Sequence, residues 1–83
     1  MCNNIRLAGT AALVLLTSGA LADDRTDCLG GIEMIKAEIA KNHPAPVLDK
    51  LREALKKAEQ EADYADWDEC VDAVNEARRA LHP

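Results

Sequence analysis

The chain has no Phe, a single Trp and a single Tyr, so it cannot build the stacking platform on which single-stranded nucleic acids are held. Serine occurs once, at Ser18, and downstream of it Thr26 is the last aliphatic hydroxyl. The two histidines are His43, beside Pro44, and His82, next to the final residue. Nucleophilic catalysis needs an activated Ser, Cys or Thr beside a base. Here His43 is expected in a loop and His82 at a terminus, both solvated, so no catalytic residues are assigned and the protein is read as a non-enzyme. Positive charge is also short: ten Lys and Arg face fifteen Asp and Glu, for a net charge of −5. That balance argues against nucleic acid and anionic membrane surfaces, which reward clustered Lys and Arg.

A long apolar run is missing too. The one candidate, Leu7 to Leu16 (LAGTAALVLL), falls short of the roughly 20 residues a spanning helix needs. It is preceded by Arg6 and followed by Thr17 to Ala22, ending Ala20-Leu21-Ala22, the small-x-small pattern of a signal-peptidase site. Residues 1–22 are therefore expected to be a signal peptide and residues 23–83 one helical domain, with no stable membrane insertion after cleavage. The expected location is the periplasm or the outside of the cell. Cleavage removes Arg6 and no acid, leaving nine basic and fifteen acidic side chains and a charge of −6.

Cysteine is scarce: of three, Cys2 departs with the signal peptide, leaving Cys28 and Cys70. Two cysteines in a small exported chain most simply form one structural bridge. A redox pair usually lies close in sequence as C-x-x-C, and these two do not. A domain this small needs such a staple, because it buries too little surface to be stable without help.

What is present reads as helix. Thr26 or Asp27 is a candidate cap for a helix over about 28–42, in which Cys28, Ile32, Ile35 and Ile39 share one face. Gly30-Gly31 costs that helix about 1 kcal/mol per residue relative to Ala. Either regular helix begins after the pair, or the glycines admit a close neighbour. Asn42 to Pro46 (NHPAP) breaks the chain, with Pro46 placed to open a second helix over about 46–62. Its apolar stripe is Leu48, Leu51, Leu55, Ala58 and Ala62.

No Gly or Pro separates Val47 from His82, so one unbroken rod competes with two helices. The later apolar set, Trp67, Cys70, Val71, Val74, Ala77 and Leu81, is displaced from the earlier stripe by about 100° around the axis. One straight helix cannot turn both stripes to one core. Asp66 followed by Glu69 also has the spacing of a capping box, which places a third helix over about 66–81. The cysteines point the same way. An up-down-up three-helix bundle sets the starts of the first and third helices side by side, whereas a two-helix hairpin would leave Cys70 about 15 Å beyond reach of Cys28. The expected fold is all-α, a three-helix up-down-up bundle with a Cys28–Cys70 disulfide, most simply a monomer.

Asp63, Asp66, Asp68, Glu69 and Asp72 are oxygen donors of the kind Ca²⁺ and Mg²⁺ take. They fail the calcium-loop template, because Asp68 and Val74 stand where a loop begun at Asp63 needs Gly and Glu. Their expected role is capping and solvation, with a divalent-cation site as the alternative; no cofactor is expected. Trp67 with Tyr64 forms an aromatic pair ringed by charge, the composition of many protein-binding hot spots, and Met34 is a further candidate for partner contact. The expected function is a small exported acidic module that binds an unknown protein partner.

Tyr64 to Pro83 resembles the second helix of a tetratricopeptide repeat, with Trp67, Cys70, Ala73, Val74 and Ala77 in its aromatic, small, small, bulky and small places. The preceding helix departs from that repeat at Lys57 and Glu61, and there is no second copy. The resemblance therefore implies a shared packing pattern and carries over no binding residues. In size, export and single disulfide the chain is similar to small periplasmic acid-stress chaperones. That likeness implies, as another alternative, loosening at low pH.

Overall fold

The computed structural model describes residues 23–83, and the expected signal peptide lies outside them. Three helices follow one another, α1 (Asp23–Ile39), α2 (Ala45–Asp63) and α3 (Trp67–Leu81), with no strand among the described residues. None of these helices is long and apolar enough to cross a membrane.

Cys28 and Cys70 are bonded, with Cα atoms 5.4 Å apart. This pairing, with Gly31 against Val74, lays α1 and α3 side by side in the same sense. Lys36 of α1 meets Glu59 of α2 at 3.7 Å, and Lys57 of α2 meets Glu76 of α3 at 3.7 Å. The short connections at 40–44 and 64–66 turn α2 back on both neighbours, and Pro46 and Val47 at its start line one hollow with Arg79 and Ala80 at the end of α3, so α2 runs antiparallel to them. The unbroken rod is absent.

The core follows the three sequence stripes. Cys28, Ile32 and Ile35 of α1, Leu51 and Ala58 of α2, and Cys70, Val74 and Ala77 of α3 are buried. Ala54 and Ala73, which the stripe reading passed over, are buried with them. Small residues here let the helices approach closely, while Ile35 and Leu51 each contribute about 1.5–3 kcal/mol by leaving water. Met34, Ile39, Leu48, Leu55, Ala62 and Leu81 pack part-buried around that centre.

Two helix starts differ from expectation. α1 begins at Asp23, so Thr26 and Asp27 lie inside it and cap nothing; the regular turns run straight through Gly30-Gly31. α2 begins at Ala45, with Pro46 second and Pro44 in the cap position. Pro is accepted there because the first amides of a helix have no partner within it.

The α2–α3 break has a specific mechanism. The Asp66 amide donates to the Glu61 carbonyl (2.9 Å) and the Ala65 amide to the Ala62 carbonyl (2.9 Å), the pair of bonds that defines a Schellman ending. That ending requires a left-handed residue at its turning point, and Ala65 supplies it with φ 56°. Asp66 then occupies the cap position of α3 without a side-chain capping bond. The break stands where the sequence placed it; the expected capping bond does not form.

Candidate functional site: the acidic, aromatic end of the bundle

The bridge brings together the starts of α1 and α3 and, with the Schellman turn, the end of α2. Residues three places before each cysteine share one level of the two parallel helices, and they meet: the Arg25 guanidinium carbon lies 5.5 Å from the centre of the Trp67 ring. A guanidinium over an indole face is attracted by the ring quadrupole, about 0.5–1 kcal/mol at an exposed site. Trp67 itself is half-buried, packed against the core on one side. Tyr64 in the turn is 75% exposed and Leu29, one turn after Arg25, is 44% exposed. They are the exposed large apolar side chains of the described residues.

The remaining charge at this end has one sign. Glu61 and Asp63 close α2, and Asp66, Asp68 and Glu69 open α3. Asp68 and Glu69 sit favourably at the positive end of the α3 dipole. Asp66 has its carboxyl pKa raised above the ordinary value, first by a hydrogen bond with Asp68, then by desolvation and by the negative charges of Asp68, Glu61 and Glu69. A carboxylate that holds its proton more tightly because of three acidic neighbours marks a local excess of negative charge. The ion pairs among the described residues lie elsewhere, at Lys36 with Glu33 and Glu59, Lys57–Glu76, Arg52–Asp49, and Glu38 with Lys41 and His43.

The five acids Asp63, Asp66, Asp68, Glu69 and Asp72 do not gather as ligands. Among the described residues no three His, Cys, Asp or Glu side chains come close enough to hold a metal ion. Met34 lies part-buried against the core, away from the exposed surface that Tyr64 offers. Cys28 and Cys70 are 0% exposed, so the sulfurs have no access to a redox partner while the bundle is closed.

The opposite end shows what reading by residue type missed. His43 is half-buried, and its Nε2 lies 2.9 Å from Glu38 Oε1. Lys41 Nζ donates to the other oxygen of Glu38 at 2.7 Å. Together they hold the Glu38 pKa below the usual carboxylate range, Lys41 first and His43 second. This cluster clasps the α1–α2 connection, and His43 is a structural partner there. Between α2 and α3 runs an open groove of about 460 Å³, lined by Lys50, Glu53, Lys56, Lys57 and Glu76 over Ala54. Its charges are of both signs and it presents no large apolar side chain. Arg25, by contrast, had a usable signal: its distance from Cys28 equals that of Trp67 from Cys70 once the bridge is drawn.

Comparison with protein-family models, with curated proteins and with solved structures found no match.

Proposed function

We propose that this protein is exported and acts without catalysis, as a small acidic module that binds another protein through the end carrying Trp67 and Tyr64. One observation carries the reading. Among the described residues the exposed large apolar side chains, Leu29 and Tyr64, belong to the segments joined at one end of the bundle, where Trp67 is half-buried. Aromatic groups set at the edge of a rigid core lose little freedom on binding, which is why they dominate interface energetics. Export is supported by the cystine, which persists in oxidising compartments, and by the leader-like residues 1–22.

The test is site-directed photocrosslinking in the producing cell. A photoreactive phenylalanine analogue at Tyr64 or Leu29 is expected to give a discrete protein adduct, whereas the same analogue at exposed Arg52 gives none. Absence of an adduct from both end positions, with the protein present at normal level, contradicts this function.

A further inference from the structure

Resting on that reading, we propose that the partner presents a cationic segment, an amphipathic stretch bearing Arg or Lys, and that Arg25 occupies on Trp67 the place of the partner's cation. Three independent features converge on this class. The Trp67 face already holds a guanidinium, 5.5 Å from its centre, the contact that a partner's cation would make there. Around it, Glu61, Asp63, Asp66, Asp68 and Glu69 enter no ion pair with the described residues. An acidic or neutral partner would deepen that like-charge crowding, while a cationic one relieves it. Tyr64 and Leu29 are exposed apolar side chains of the joined segments, suited to the uncharged face of an amphipathic segment. The mixed-sign groove between α2 and α3 offers neither the ring nor the one-signed charge.

Arg25 is then a placeholder. It shields the indole in the free protein and yields it, or moves aside, when a more favourable cation arrives with its own apolar contacts. A residue in that role competes with the ligand, so removing it strengthens binding, whereas removing a residue that contacts the ligand weakens it.

Trp67 is the one tryptophan of the chain, so its emission reports on this site alone. The probe is a Trp-free helical peptide of Leu and Arg, with Leu at helical spacing, compared with the same peptide carrying Glu for Arg. With the oxidised protein, the Arg peptide is expected to shift Trp67 emission saturably and the Glu peptide to leave it unchanged. Affinity is expected to fall about tenfold or more between low salt and 0.5 M, as screening of exposed charge requires. Arg25→Gln is expected to tighten binding several-fold; Leu29→Gln, at an exposed position, is expected to weaken it without changing the melting transition, and Asp68→Asn to weaken it as well. Equal response to both peptides, no response to either, or weaker binding by Arg25→Gln overturns the proposal. Concentration-dependent Trp67 emission with dimerisation and no peptide binding makes a second copy the occupant, and overturns it too. If the peptides fail while Tyr64 still crosslinks to a discrete protein, the interaction surface stands and only the cationic class is wrong.

Discussion

Individual positions in this bundle carry opposite consequences for nearly identical changes. Gly30 and Gly31 are neighbours in α1, yet a Cβ on Gly30 meets open space and one on Gly31 overlaps both methyls of Val74. Gly30→Ala is therefore expected to stabilise by about 0.8–1 kcal/mol through helix propensity. Gly31→Ala is expected to destabilise by about 1–3 kcal/mol through overpacking, with Val74→Ala in the same chain recovering part of the loss. Urea denaturation of the three variants checks this. Two carboxyls likewise respond to acid in opposite directions. The Glu38 pKa is lowered in the fold by Lys41 and His43, so its contribution is present above the unfolded pKa and lost as pH falls through the folded one. The Asp66 pKa is raised, chiefly by Asp68, so ionised Asp66 costs stability above its folded pKa and the cost disappears below it. Asp66→Asn is expected to raise the melting temperature at neutral pH and to make no difference in strong acid, and Glu38→Gln to lower it at neutral pH only. Melting curves across pH 2–7 for each variant check both signs.

At the level of elements, most of the architecture was legible because each helix has a clean apolar stripe. The stripes predicted the buried Ile35, Leu51, Cys70 and Val74, and the phase shift after residue 62 predicted the second break. What the sequence hid was the cause of that break. A Schellman turn normally advertises itself with Gly at its left-handed position, and here Ala65 stands in that place. The turn is held because the amides of Ala65 and Asp66 are satisfied and because the bridge needs α3 to fold back. Left-handed backbone costs an L-residue about 1–2 kcal/mol, part of which glycine would return as chain entropy. Ala65→Gly is expected to leave stability unchanged or raise it by up to about 1 kcal/mol, read from the denaturation midpoint. A marked fall would show that the turn is not held as described. The first helix was misjudged for the opposite reason. Thr26 and Asp27 have the chemistry of caps, and the Gly pair left open either a boundary or a close neighbour. Tertiary contact with Val74 makes Gly31 an asset inside the helix, and α1 runs through.

The candidate site was legible in part. Trp67 and Tyr64 stood out as the aromatics among acids, while Arg25 became visible only with the bridge in place, because it is brought to Trp67 by tertiary register and not by local spacing. His43 was misread for a similar reason: its partner Glu38 lies across the turn, and proximity in sequence does not announce a 2.9 Å contact.

For the whole molecule, the Cys28–Cys70 bridge does most to decide the outcome. It closes a loop across a sequence separation of 42 residues, for which the chain-entropy account gives about 4 kcal/mol of stabilisation. For a domain of this size that is comparable to what a single core supplies. Reduction, or Cys28→Ala with Cys70→Ala, is expected to abolish the cooperative transition or lower it by roughly that amount. Circular dichroism melts with and without reductant check this. The surface ion pairs Lys36–Glu59 and Lys57–Glu76, at 3.7 Å and exposed, contribute at most about 1 kcal/mol each and cannot compensate. The bridge also creates the end proposed to bind a partner, because without it the start of α3 has no fixed place beside the start of α1, and Arg25 has no fixed relation to Trp67.

The intact mass of the protein recovered from its native compartment, measured before and after reduction, tests this most directly. The account predicts a monomer beginning at Asp23, two hydrogens lighter than the reduced chain, with Cys28 and Cys70 in one cross-linked peptide pair. Free thiols in the native protein, or a dimer that separates on reduction, would contradict it.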